Sequence, residues 1–140
     1  MKKFIALVTA MVMVLSIAAC GSNSNGNNSS NGDTLAVPQV KDGVMRMGED
    51  CVETYFEWDP VSGADGYEVT VQNKFYEEET YREPAETYEV TDPNYVAGAQ
   101  DLFDFQIKVR AFKGNGDSRV YSDWSNEAVG STYDESEITN

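Results

Sequence analysis

Phe103-Asp104-Phe105-Gln106-Ile107-Lys108-Val109-Arg110-Ala111 alternates between apolar and polar side chains from end to end. Phe103, Phe105, Ile107, Val109 and Ala111 share one face; Asp104, Gln106, Lys108 and Arg110 share the other. A side-chain period of two belongs to a β-strand with one dry face and one wet face. Two more stretches carry the same signal. In 52–58, Val52, Thr54, Phe56 and Trp58 oppose Glu53, Tyr55 and Glu57. In 67–72, Tyr67, Val69 and Val71 oppose Glu68, Thr70 and Gln72. Turn chemistry separates the runs at Asp59-Pro60, Ser62-Gly63, Asp65-Gly66, Asp92-Pro93-Asn94 and Gly114-Asn115-Gly116-Asp117, the last reading as a hairpin. No amphipathic helix competes with these strands. The pattern predicts one all-β, antiparallel two-sheet sandwich over 34–130.

The flanks of that domain differ from it in kind. Lys2 and Lys3 precede an uncharged apolar run, Phe4 to Ala19, which ends in Ala18-Ala19 before Cys20. A basic start, a short apolar run and small residues at its end describe a secretory signal peptide over 1–19. Residues 21–33 (GSNSNGNNSSNGD) hold only Gly, Ser and Asn before Asp33. Such a stretch has nothing to bury against the entropy of ordering, so 20–33 reads as a flexible tether. The tail 131–140 (STYDESEITN) is polar and acidic and is expected to fray.

Composition narrows the function. The 140 residues include 24 acidic and 10 basic side chains, for a net charge of -14, and no histidine. Removal of Lys2 and Lys3 with the signal would leave eight basic against 24 acidic residues, a net charge of -16. Phosphate binding requires a basic patch, so nucleic acid is not an expected partner. Without histidine, the commonest general base and zinc ligand is missing, and no metal or cofactor is expected. No nucleophile elbow, phosphate loop or metal-ligand spacing is present, which argues against an enzyme.

Ile17-Ala18-Ala19-Cys20 resembles the lipobox of bacterial lipoproteins, with Ile17 where that family favours Leu. The resemblance implies cleavage before Cys20 and a diacylglyceryl group on its thiol, with acyl chains such as palmitate. Two chains anchor stably where one does not, at about 0.8 kcal/mol per buried methylene. The expected location is therefore the extracytoplasmic face of the cell membrane, reached through lipid on Cys20.

The domain resembles a fibronectin type III module over most of 36–129. Val37-Pro38 is similar to that family's opening strand, and Phe56-Glu57-Trp58-Asp59-Pro60 to the end of strand B. Gly63 to Val69 resembles the start of strand C, Phe105 to Ala111 strand F, and Tyr121 to Ser125 the start of strand G. The resemblance implies seven strands in an immunoglobulin-like sandwich, with A-B-E packed on C-C′-F-G. It places C′ and E within 73–91, with Tyr88 and Val90 inward on E. Phe56, Trp58, Tyr67, Val69, Phe105, Ile107 and Val109 mark the core. Phe105 stands where the family usually has tyrosine, and 92–102 is long for an E–F connection.

Several residues carry two readings. Tyr121-Ser122-Asp123-Trp124-Ser125 resembles the Trp-Ser-x-Trp-Ser box of cytokine receptors. There aromatics stack on cationic strand-F side chains, which nominates Lys108, Arg110, Tyr121 and Trp124 as a binding site or a structural stack. Tyr55, Tyr76, Tyr81 and Tyr95 form a platform for sugar or protein if clustered, and nothing if scattered. Cys51, with Cys20 lipidated, is left as a half-buried small residue or an intermolecular thiol. The acidic runs Glu77-Glu78-Glu79, with Glu83 and Glu86, and Asp92, Asp101 and Asp104 lack a calcium-loop spacing. The expected function is non-catalytic binding or display at the cell surface, with a surface protein or glycan as partner. A carbohydrate-binding module built on exposed aromatics is the alternative, and a small secreted hydrolase a weaker one.

Overall fold

Strict alternation over 103–111 becomes the longest strand of the molecule, and ten residue pairs lock it to a second strand. The computed structural model describes residues 34–138. The apolar run 4–19, Cys20 and the tether 21–33 lie outside them. Among the described residues, no helix is long and apolar enough to cross a membrane.

Among the described residues, eight strands form two antiparallel sheets. The first has β1 (Val44–Met47), β2 (Val52–Glu57) and β5 (Asn94–Ala99), in the order β1-β2-β5. The second has β3 (Gly66–Phe75), β4 (Glu86–Val90), β6 (Phe103–Lys113), β7 (Val120–Tyr121) and β8 (Ala128–Ser131). Its order is β4-β3-β6, and both β7 and β8 pair with β6. This is the A-B-E and C′-C-F-G arrangement that the sequence resemblance implied. β3 meets β6 from Gly66 opposite Phe112 to Phe75 opposite Phe103. The Gly114–Asp117 stretch turns β6 into β7, with Gly114 and Gly116 at positive φ (87° and 54°), where glycine avoids the Cβ clash.

The dry faces meet as the sequence pattern requires. Phe56, Trp58, Tyr67, Val69, Val71, Phe105, Ile107, Val109 and Ala111 are buried in one core, with Phe56 and Val109 at 0% exposure. Full burial of such apolar side chains contributes about 1.5–3 kcal/mol each relative to exposure. The Trp58 and Tyr67 rings meet edge to face at 5.2 Å, and the Tyr67 hydroxyl accepts the Val61 N–H at 2.8 Å. Phe105 packs beside Phe103, at 6.3 Å between ring centres.

Four expectations change. Strand E is β5, inside the stretch read as a long E–F connection, and only 100–102 joins it to β6. Residues 86–90 form C′ alone, and Tyr88 is exposed rather than inward. The Val37-Pro38 segment is not a strand: Pro38 is fully buried, Val40 makes a single bridge to Trp58, and the regular first strand starts at Val44. The strands number eight because G is broken into β7 and β8.

The domain also extends past 130. Ser131 belongs to β8, and Thr132 is 4% exposed, with its N–H bonded to the Phe103 carbonyl at 2.9 Å. Tyr133 donates to the Asp104 carboxylate at 2.8 Å, Ser131 donates to the same oxygen at 2.6 Å, and Lys74 lies 3.4 Å from its other oxygen. A short helix, Glu135–Ile138, follows. Burial pushes the Asp104 carboxyl up, but the bonds from Ser131, Tyr133 and Lys74 outweigh it and hold the group below the usual aspartate range. Burial, then the bond to Asp104, pushes the Tyr133 hydroxyl up to about 12.

Gly43 and Gly130 close the sandwich at one side. A Cβ on Gly130 would lie 2.5 Å from the Thr54 methyl and 2.9 Å from the Gly43 Cα; one on Gly43 would meet that methyl at 2.3 Å. Gly130→Ala should therefore destabilise the domain by about 1–3 kcal/mol in denaturant unfolding, since this packing has no room to yield. Asp104→Asn should cost about 1–2 kcal/mol at neutral pH. The Asp104 carboxyl titrates lower folded than unfolded, so its contribution is complete above the unfolded value and is lost as pH falls through the folded one. The stability gap between wild type and variant should shrink below about pH 4, as read by denaturation across an acid series.

Candidate functional site

Because the odd-numbered residues of β6 face the core, Gln106, Lys108 and Arg110 stand on the outer face of the five-stranded sheet. Register adds Glu68 opposite Arg110, Thr70 opposite Lys108 and Gln72 opposite Gln106. The polar face of two strands thus becomes a continuous outer surface.

The segment between β7 and β8 determines what covers that surface. Ser122 gives its N–H to the Ala111 carbonyl at 2.9 Å, and its hydroxyl receives the Ala111 N–H at 2.9 Å. Ser125 repeats both bonds with Val109, at 2.8 and 2.9 Å. Each hydroxyl also donates onward, to the Asp123 and Asn126 carbonyls. Four residues here, Ser122 to Ser125, oppose three on β6, Val109 to Ala111, so the chain bulges while β6 keeps its partners. Asp123 and Trp124 are pushed outward.

A layered stack results. The Arg110 guanidinium lies between Tyr121 and Trp124, 3.9 Å and 4.5 Å from their ring centres. One Glu68 carboxylate oxygen receives Arg110 Nη2 at 2.6 Å and Nε at 2.9 Å. A second cation extends the stack: Arg119 lies 3.9 Å from the Phe112 ring centre and 5.9 Å from that of Tyr121. Arg119 also pairs with Glu89, and this bond holds the Glu89 carboxyl below its usual range. The Phe112 ring fits on this outer face because Gly66 opposite it has no side chain; a Cβ there would lie 2.7 Å from the ring.

Of the four nominated residues, Arg110, Tyr121 and Trp124 come together. Lys108 does not join them. It pairs with Glu127 at 3.1 Å, because the bulge carries that acid over its position on the sheet. Sequence reasoning missed Arg119, Glu89 and Phe112. Arg119 was within reach, since it lies two residues before Tyr121 and so shares its face.

The four tyrosines form no common platform. Tyr55 lies on the first sheet under Arg46, at 4.5 Å. Tyr95 packs against Tyr88 at 5.7 Å, Tyr76 against Tyr133 at 6.2 Å, and Tyr81 beside Lys74 at 5.6 Å. Burial pushes the Tyr95 hydroxyl up to about 12. Cys51 is half-buried just before β2, with its sulfur over Gly98, where a Cβ would lie 3.0 Å away. The acidic runs are spent on local bonds: Glu78 takes Arg82 and the Phe75 N–H, and Glu83 takes Gln72. No group of three or more His, Cys, Asp and Glu among the described residues is arranged to hold a metal.

Beside the stack lies a groove of about 460 Å³, lined by Thr70, Gln72, Glu83, Gln106, Lys108 and Trp124 among others. Trp124 is 37% exposed there. The outer face is thus a cation–aromatic stack with a groove of mixed polar and apolar lining at its edge.

No protein-family model matches this chain, and no curated protein matches it. Among solved structures, it is similar to the solution structure of the fn3 domain of human collagen alpha-1(XX) chain. The two share 17% identity over 76% of this chain and 89% of that one, with a TM-score of 0.44.

Ser125→Ala would leave the buried Val109 N–H without its acceptor and should cost about 1–3 kcal/mol. Arg110→Lys should not restore the stability lost in Arg110→Met, because an ammonium lacks the planar face that Tyr121 and Trp124 enclose. Denaturant midpoints check both; a lysine variant as stable as wild type would leave the stack without energetic weight.

Proposed function

We propose that the chain is a lipid-anchored protein of the extracytoplasmic membrane face, displaying one non-catalytic β-sandwich on a flexible tether. The observation that carries this reading is Ile17-Ala18-Ala19-Cys20, placed after Lys2-Lys3 and an uncharged run and before a Gly, Ser and Asn stretch. Lipid on Cys20 would hold the protein, and 13 tether residues would span about 20 Å root-mean-square. The net charge of -16 after processing would keep the body off anionic headgroups.

The fold supports a display role. Its interior is one packed core, and its outer polar side chains are largely engaged in holding the sheet. Arg110 with Glu68, Arg119 with Glu89 and Lys74 with Asp104 are structural pairs. Side chains committed in this way position a surface for recognition rather than for proton transfer.

Cys20→Ser should move the full-length protein from the membrane fraction to the soluble fraction, and it should abolish incorporation of a labelled palmitate analogue. Retention of the variant in membranes would overturn the anchor.

A further inference from the structure

We infer that the groove beside Trp124 binds a neutral saccharide. This rests on the display reading, since such a ligand would be met outside the cell.

Trp124 is held in place before any ligand arrives. Arg110 packs on its ring at 4.5 Å and is itself fixed by Glu68 at 2.6 Å. Ser125, the next residue, is fastened to Val109 by two bonds. The part of the ring left exposed lines the groove. An aromatic ring on a rigid support matches the apolar face of a sugar ring, and little side-chain freedom remains to be lost on binding.

The groove's polar groups suit hydroxyls, which both donate and accept. Thr70, Gln72 and Gln106 supply a hydroxyl and two amides. Glu83 accepts the Gln72 N–H at 2.6 Å, which fixes the orientation of that amide. Among the described residues the Gln106 amide has no hydrogen-bond partner, which suits it to serve a ligand's hydroxyls. The volume falls within the range of small-molecule sites, about 300–1,000 Å³.

Charge selects among ligands. One carboxylate, Glu83, and one ammonium, Lys108, line the groove, and Lys108 is already paired with Glu127. This balance on an otherwise acidic domain favours a neutral ligand over an anionic one. A peptide fits less well. The groove lies on a sheet face, where β3 pairs with β4 and β6, and β6 pairs in turn with β3, β7 and β8, so the face offers no open strand edge for a main-chain ladder.

The test uses full-length protein in detergent against an array of neutral glycans and, as a competing class, extended peptides. Calorimetry then measures the hits. At least one neutral oligosaccharide should bind. Trp124→Ala should weaken binding about tenfold or more, as expected of an aromatic anchor. Gln106→Ala should weaken it about fivefold, as for one lost hydrogen bond, with an unchanged unfolding midpoint. Because the Trp124 variant also loosens Arg110, the Gln106 variant is the cleaner arm. No glycan binding by folded wild type, binding that both variants retain, or binding of peptides alone would each overturn the assignment. Membrane fractionation of the cells before detergent is added reads the anchor separately, so failure of one proposal is distinguishable from failure of the other.

Discussion

The ten-pair ladder between β3 and β6 is the constraint on which the remainder of the structure depends. It sends Tyr67, Val69, Val71, Phe105, Ile107 and Val109 into the core and, by the same parity, Glu68, Thr70, Gln72, Gln106, Lys108 and Arg110 onto the outer surface. A slip of one residue would exchange the two sets, burying charges and exposing the core. Core and groove are therefore two outcomes of one register. Thr54 on β2, buried with no exposure, then ties the other sheet to β8 through the Ser131 carbonyl at 2.8 Å.

Strand G gives up regularity without giving up hydrogen bonds. A continuous G strand would have faced β6 with an unbroken backbone ladder and left no room for Trp124 to swing outward. Ser122 and Ser125 replace part of that ladder with hydroxyls, each accepting one bond and donating another. The bulge they allow is what brings aromatic rings over Arg110. Stability and surface chemistry thus share the same five residues, Tyr121 to Ser125.

What could be read from the sequence follows from how strands meet water. β2, β3 and β6 each have one dry face, so their alternation is unambiguous. β4 and β1 are exposed along most of their length and carry no such contrast: all four residues of β1 are exposed, Met47 to 81%. β5 (NYVAGA) hides for the opposite reason. Ala97, Gly98 and Ala99 are weak strand formers, chosen here by close packing against neighbours such as Cys51. Tyr88 and Val90, an aromatic and a β-branched residue, carry a stronger strand signal than β5 and so read as strand E from sequence. At the surface, the Arg110 stack was legible because Tyr121 and Trp124 sit at a recognisable spacing. The Lys108–Glu127 pair was not, since Glu127 reaches its position only through the irregular chain after Ser125.

The glycine contact between Gly43 and Gly130 has a consequence for association. With no side chains between them, residues 42–43 lie close enough to occupy the outward edge of β8. Gly43 N–H bonds the Val129 carbonyl at 2.8 Å, and the Asp42 carboxylate accepts the Val129 N–H at 3.1 Å. The Ser131 carbonyl on the same edge is taken by Thr54. A neighbouring chain finds few backbone partners there, so the five-stranded sheet cannot readily grow from that side. Its opposite edge is β4, where the Glu86 carboxylates would bring like charges together in a strand-to-strand encounter between copies. The five-stranded sheet is thereby protected against pairing with its own kind: one edge is chemically spent and the other is electrostatically guarded.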